Sequence, residues 1–234
     1  MRLRKIFRLI ILLLALNGYG QDTSPKTFTW FQYKGSGSIG SGKWGAMLDV
    51  QHRRIDFLET TSQHLIRPGI TYQLGNQFYA TIGTAFFWHN ISTNSDEAVF
   101  RYEFRPFQFL QWHQSFPAFK LKHKFRFEQR YNRKTEQEQI LSGYDFNYRA
   151  GYRIEVAYPL DENFSLNVYE ELLINFGKEI IGEHLDQNRI YLGIRYKKGR
   201  FTYKTGYLWL AAPLAGQSGI KNSHILRVGV SHNW

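Results

Sequence analysis

Arginine and glutamate side chains recur at every second position in several stretches of this chain, as Arg101, Glu103 and Arg105 do in "RYEFR". In an extended strand alternate side chains share a face, so these groups are neighbours. Adjacent guanidinium and carboxylate groups form charge-assisted ion pairs, and an excess of base attracts anions. The alternating set comprises Arg101, Glu103, Arg105, Arg126, Glu128, Arg130, Arg149, Arg153, Glu155, Arg189 and Arg195. The pattern predicts either a mutually neutralising Arg–Glu ladder or a surface that binds or conducts anions.

The opposite face of the same stretches is aromatic or aliphatic. In "AFKLKHKFRFEQRY" (118–131), Phe119 and Leu121 alternate with Lys120 and Lys122. A helix would scatter both sets around its axis, so period two indicates a strand. The competing architecture, a soluble lipocalin-like calyx, has a polar outside and an apolar interior. We favour a membrane barrel with aromatic residues towards lipid and charges towards the lumen, because a dry core cannot bury these lysines at tolerable cost.

Period two extends along the whole chain, in which 17% of residues are aromatic. It predicts ten strands, near 43–55, 62–74, 77–90, 98–111, 117–132, 144–158, 163–174, 187–198, 200–210 and 222–234. A weaker segment near 27–34 breaks the parity, so twelve strands are the alternative. Most strands exceed the usual five or six residues of globular sheets and fit the nine to eleven or so that cross a bilayer.

The links between these strands alternate in length. Short links lie at 75–76, 159–163 and 197–200, and longer polar links at 91–97, 133–143, 175–186 and 211–221. Outer-membrane barrels show this asymmetry, with short periplasmic turns and long outer loops. The predicted fold class is therefore all-β: a transmembrane, antiparallel, up-and-down β-barrel.

The N-terminus, "MRLRKIFRLIILLLALNGYG", has a basic start, an apolar stretch and then turn-prone residues. That layout predicts a secretory signal peptide over 1–20, cleaved before Gln21, followed by a single barrel domain over 21–234. A membrane-anchor helix fits poorly, because Arg8 interrupts an apolar run that is shorter than about 20 residues. We expect export to the outer membrane of a Gram-negative bacterium.

The net charge and the cysteine content limit which partners, metal sites and modifications the protein can have. Removal of residues 1–20 lowers the formal net charge from +11 to +7. A net positive charge can indicate a nucleic-acid partner, but an exported protein rarely meets nucleic acid, so we expect no such partner. The chain has no cysteine, which excludes disulfides, thiolate metal sites and a lipid-modified N-terminal cysteine.

The chain ends in "LRVGVSHNW", where a terminal aromatic residue follows apolar residues at alternate positions. This ending resembles the C-terminal signal by which the outer-membrane assembly machinery recognises its barrel substrates. The residues concerned are Leu226, Val228, Val230 and Trp234. His232 departs from the apolar or aromatic residue usual at its position. We therefore expect the barrel-assembly machinery as a partner during biogenesis.

Several segments together resemble a family of Gram-negative outer-membrane barrel proteins known as domain-of-unknown-function family 2490. They are "TW" (29–30), "KW" (43–44), "LIRPGITYQL" (65–74), "RYEFRPFQ" (101–108), "FRFEQR" (125–130), "YRAGYR" (148–153), "DQNRIYLGIRY" (186–196) and "TGYLW" (205–209). They follow the family's order over nearly the whole mature chain. The resemblance implies location and fold, and it brings no established activity, substrate or catalytic residue.

A hydrolase would need a nucleophilic serine, a histidine base and an orienting group. The nearest pairs are His89 with Ser92 in "WHNIS" and Ser223 with His224 in "KNSHIL". Neither stands in a lipase or deacylase signature, and close pairs are common by chance. The other histidines are dispersed rather than at metal-ligand spacing. We predict no catalytic residues, no metal and no cofactor.

The sequence favours a non-enzymatic, monomeric outer-membrane barrel with a mostly occluded basic lumen, serving as a narrow anion-preferring, porin-like passage or as a structural envelope protein. One alternative is a lipid-modifying hydrolase, and another is a binding or adhesion module acting through its loops. Acids assigned to the loops predict contact with outer-membrane lipid and lipopolysaccharide through divalent cations. They are Glu59, Asp96, Glu97, Glu136, Glu138, Glu179, Glu183 and Asp186.

Overall fold

The computed structural model describes residues 26–92, 98–180, 184–214 and 219–234, which form one closed β-barrel. Its eleven strands are β1 (Lys26–Ser38), β2 (Trp44–Ile55), β3 (Thr60–Gln73), β4 (Phe78–Asn90), β5 (Phe100–Ser115), β6 (Lys120–Glu136), β7 (Gln139–Pro159), β8 (Phe164–Phe176), β9 (Leu185–Lys198), β10 (Phe201–Pro213) and β11 (Ile220–Asn233). The predicted signal peptide lies outside the described residues. No helix within these ranges is long and apolar enough to span a membrane.

The all-β barrel is confirmed, but the prediction of ten strands, with twelve as the alternative, is wrong. The segment near 27–34 is a complete strand, β1, paired with β2 on one side and β11 on the other. Consecutive strands run antiparallel, so with an odd number the first and last point the same way. The barrel therefore closes through one parallel pair, in which Phe31 lies opposite Val228.

The barrel has two ends: the short-turn end carries the links that follow β1, β3, β5, β7 and β9, and the long-loop end carries those that follow β2, β4, β6, β8 and β10. At the short-turn end, Gly199 takes a left-handed φ of 57° between β9 and β10. In the β7–β8 turn, backbone N–H groups of Phe164 and Asn163 donate to Asp161, which holds the pKa of that carboxyl below its usual range. At the long-loop end, the loop predicted over 133–143 is instead a hairpin: β6 and β7 extend to a tight turn at 137–138.

The parallel seam is covered on the outside by the C-terminal residue. A Cβ atom added to Gly35 or Gly37 of β1 would overlap the indole ring of Trp234, so the ring lies directly over these glycines. The Trp234 N–H donates to the carbonyl of Ser36 at 3.1 Å. The other residues of the predicted assembly signal, Leu226, Val228 and Val230, point outwards on β11 beside β1. Their recognition by the assembly machinery stays a prediction.

The outer face has aromatic side chains near both ends and aliphatic ones between. Ring contacts near the short-turn end join Trp44–Tyr72, Phe78–Trp112, Trp112–His123, Phe164–Tyr196, Tyr196–Tyr203 and Phe201–His232. Those near the long-loop end join Trp88–Tyr102, Phe86–Phe104, Phe104–Tyr131, Tyr131–Phe146, Phe146–Tyr148 and Tyr148–Phe176. The exposed band between them includes Ile66, Ile70, Ile82, Leu110, Leu172, Leu192 and Ile194.

Candidate functional site

Strand alternation places the eleven charged residues singled out from the sequence on the inward positions of β5, β6, β7 and β9. They divide between two parts of the lumen. Glu103, Arg105, Glu128, Arg130 and Arg149 belong to a buried ion network towards the long-loop end, which we call the plug. Arg126 joins this network to an open cavity, which Arg153, Glu155, Arg189 and Arg195 also line. Arg101 lies half-buried at the long-loop end of β5.

Two fully buried carboxylates organise the plug. Glu103 is contacted by Arg105 Nη2 at 2.5 Å, Arg130 Nε at 2.8 Å and His89 Nε2 at 2.8 Å. Glu128 accepts from Nε and Nη2 of Arg149 at 2.7 and 2.6 Å. Charge-assisted pairs of this length, with both partners buried, hold each other in place because neither charge reaches water.

Two further carboxylates complete the network, and the sequence analysis missed both. Asp186 was assigned to an outer loop, but it lies in β9 and pairs inside the barrel with Arg149 Nη1 at 2.8 Å. Glu171 of β8 accepts from Arg126 at 2.9 Å, Arg153 at 2.9 Å and Arg189 at 3.0 Å. The signal that would have found Glu171 is its place on the polar side of the alternation in "FSLNVYEELLINF".

Apolar side chains also point inwards beside the plug, so this half of the lumen is packed like a protein core. One cluster contains Leu65, Ala85, Phe87, Phe107 and Phe109, and a second contains Trp30, Tyr169, Tyr191, Leu208, Leu210 and Ile225. Arginines stack on both clusters: Arg105 lies 3.9 Å from the Phe87 ring centroid and Arg53 3.8 Å from that of Trp30. Packing and ion pairs together fill the barrel near the long-loop end.

The other half of the lumen is a cavity of ≈ 600 Å³, which we call the cup. Gly37, Lys43 and Trp234 lie at its rim, so it opens at the short-turn end. Twelve lysine and arginine side chains line it, against two carboxylates, Asp49 and Glu155. The cup is therefore strongly basic, whereas acids and bases contact one another throughout the plug.

Seven of the cup's cations have no carboxylate of the described residues within 4.0 Å, and they are Lys34, Lys43, Arg53, Lys122, Lys124, Lys204 and Arg227. Several use neutral partners instead. Lys124 Nζ lies 3.6 Å from the Phe109 ring centroid, and Lys204 Nζ donates to Ser231 Oγ at 2.7 Å. Arg227 donates to Gln32 Oε1 at 2.8 Å. These contacts orient the cations without cancelling their charge.

The serine–histidine pairs do not form nucleophile–base pairs. Adjacent residues of a strand point to opposite faces: Ser223 is buried inside, while His224 contacts Tyr207 outside. Both ring nitrogens of His89 are engaged, Nε2 by Glu103 at 2.8 Å and Nδ1 by Gln63 at 2.6 Å. Among the described residues, no group of three or more His, Asp or Glu side chains is placed to hold a metal ion.

A closed barrel of long strands, with aromatic residues near both ends of its outer face and charged residues inside, is the architecture of transmembrane β-barrels. A solved structure of the NanC porin, in a rhombohedral crystal form, is similar to this chain with a TM-score of 0.51 and 15% sequence identity. The similarity covers 88% of this chain and 98% of that one, and it supports the fold. The chain belongs to the family described as "protein of unknown function (DUF2490)", which matches residues 27–217. No curated protein matches the sequence significantly.

Proposed function

We propose that the protein is an outer-membrane β-barrel whose lumen is sealed towards the cell exterior and forms an anion-binding cup open to the periplasm. The observation that carries this proposal is the charge of the cup, with twelve cations and two carboxylates around one cavity. A cleft lined by one sign of charge between low-dielectric walls focuses its field and concentrates counter-ions. The neutralised, packed plug leaves that field directed at the short-turn end.

The outer face supports the membrane assignment. Its central band exposes large aliphatic side chains, including Ile82 at 61% and Leu192 at 51%. Apolar surface of this extent is unfavourable in water, whereas a barrel in lipid presents such a band between two aromatic girdles. Short turns face the periplasm in outer-membrane barrels, so the cup opens there. A signal peptide over 1–20 accounts for export.

Single cysteines test the location and orientation, because the chain has no cysteine of its own. We expect Leu58→Cys, in the β2–β3 turn at the long-loop end, to react with a membrane-impermeant maleimide on intact cells. Glu162→Cys, in the β7–β8 turn, should react only after the outer membrane is permeabilised. The reverse pattern would overturn the periplasmic assignment of the cup, and recovery of the protein in the soluble fraction would overturn the membrane barrel.

Conductance in planar bilayers tests the seal. We expect no steady current through the wild-type protein, because fully buried side chains fill the lumen near the long-loop end. The double variant Arg105→Ala/Glu128→Ala removes two neighbouring plug side chains 3.7 Å apart, and it should produce an anion-selective current. A matched control, Lys134→Ala/Asp145→Ala, removes an exposed pair 3.6 Å apart and should leave the bilayer sealed. A steady wild-type current would contradict the seal and favour a passage.

A further inference from the structure

Five of the cup's cations form two tiers at different depths. Lys34, Lys122 and Lys204 form the mouth tier, where Lys34 lies near enough to the other two for their charges to repel. Arg53 and Arg227 form the floor tier beside Trp30, within interaction range of each other. No carboxylate of the described residues lies within 4.0 Å of any of these five side chains.

The floor carries two buried donors for which the described residues supply no acceptor. Trp30 is 8% exposed, and its Nε1 has no hydrogen-bond partner among the described residues. Arg67, at 7% exposed, donates from Nη1 to Asp49 at 3.4 Å, but its Nε has no partner in the described part of the chain. Both side chains line the cavity, although these two nitrogen atoms are not themselves exposed to it. Unpaired buried donors are unfavourable, and the groups that would satisfy them are hydrogen-bond acceptors.

The separation of the tiers follows from the strand that carries one residue of each. Trp30 and Lys34 are four residues apart on β1, which corresponds to about 13 Å of strand, or on the order of 10 Å along the barrel axis for a tilted strand. Gln32 lies between them and bridges Asp49 at 2.8 Å to Arg227 at 2.8 Å. The two tiers therefore lie at different depths, and on β1 the neutral side chain of Gln32 separates them.

We propose that the cup binds a small molecule that carries two or more oxyanion groups, one held by the floor tier and another by the mouth tier. The volume of ≈ 600 Å³ is in the range of small-molecule sites. Arginine forks suit planar or tetrahedral oxyanions at the floor, and lysines suit phosphate as point charges at the mouth. This inference rests on the anion-binding cup of the proposed function and names its ligand class.

Calorimetric titration of the full-length, detergent-solubilised protein at constant ionic strength tests the two tiers. We expect tripolyphosphate, which reaches both tiers, to bind at least tenfold more tightly than orthophosphate, which reaches one. Citrate, a tricarboxylate, distinguishes phosphate ligands from carboxylate ligands. If citrate binds at least tenfold more weakly than tripolyphosphate, the site is specific for phosphates. If the two bind comparably, the ligand class includes polycarboxylates.

Substitutions in each tier test the two tiers separately. Lys34→Gln at the mouth and Arg227→Gln at the floor should each lower tripolyphosphate affinity at least tenfold, and Lys34→Arg should restore it. Lys198→Gln, in the exposed end of β9, is the matched control and should change nothing. Heat-modifiable migration on a gel shows that each variant is folded. An equal loss in Lys198→Gln would reveal non-specific attraction and overturn the proposal.

The failures are distinguishable. If orthophosphate binds and tripolyphosphate binds no more tightly, the cup takes anions but the two-tier assignment is wrong. If neither binds to folded protein, the anion-binding cup of the proposed function is wrong as well.

Discussion

The two halves of the lumen accommodate buried charge in opposite ways. In the plug, Glu103, Glu128 and Asp186 are surrounded by arginines, so each charge has a partner at ion-pair distance. In the cup, Lys34 and Lys122 have no carboxylate of the described residues within 4.0 Å. The same alternation of strand residues builds both halves. What differs is where the acids lie: those of the plug neutralise its arginines, whereas the cup keeps an excess of cations.

The largest loss of stability is expected when a carboxylate of the plug is removed. Glu128→Gln removes the shortest ion pair of Arg149 and one of the two carboxylates beside Arg105, in a site with no access to water. We expect the free energy of unfolding to fall by about 3–5 kcal/mol, because one buried negative charge is lost and the arginines around it are left in excess. Denaturant unfolding of the protein in detergent or lipid measures the loss.

The matched variant in the cup is Glu155→Gln. Its pair with Arg195 is 3.3 Å long, and the two side chains are 17% and 27% exposed. Water screens such a pair, so we expect a loss of about 1 kcal/mol or less. Equal losses for Glu128→Gln and Glu155→Gln would show that the two halves do not differ in how they hold charge.

At the rim of the cup, side-chain packing rather than an ion pair holds the ring of Trp234 in place. Gly37→Ala places a Cβ atom inside the indole ring of Trp234, so the ring must leave the parallel seam. We expect a loss of about 1–3 kcal/mol in the free energy of unfolding, typical of overpacking. Gly42→Ala, which meets open space, is the control. In the double variant with Trp234→Ala the Gly37→Ala loss should largely vanish, and additive losses would contradict the packing.

Much of this arrangement could be predicted from the alternation alone. Period two located the strands, and the eleven charged residues all occupy inward positions. Closure could not be predicted in the same way, because alternation identifies strands without saying which edges meet. The segment around Trp30 therefore looked like a partial strand, although it completes the barrel by pairing in parallel with β11.

The division of the lumen into plug and cup depends on contacts between distant strands. Arg149 of β7 meets Asp186 of β9, and the bulge between Leu173 and Ile174 shifts the register near that aspartate. Inward apolar residues such as Leu65 and Phe107 also contradict the simple expectation of a polar lumen. Their clusters depend on which strands face one another across the barrel, and local sequence does not encode this.

The smallest effect is expected where a cation of the cup is removed. Lys122→Met takes away one of several like charges near Lys34 and Arg195, so we expect the free energy of unfolding to stay unchanged or rise by up to about 1 kcal/mol. Any gain should shrink as salt rises, since exposed charges are screened beyond about 8 Å at 0.15 M ionic strength. Arg149→Met, the matched change in the plug, should instead lose several kcal/mol because it leaves Glu128 and Asp186 without their shortest ion pairs. A comparable loss for Lys122→Met would mean that the cup's cations stabilise the fold, and their excess would no longer be available to a ligand.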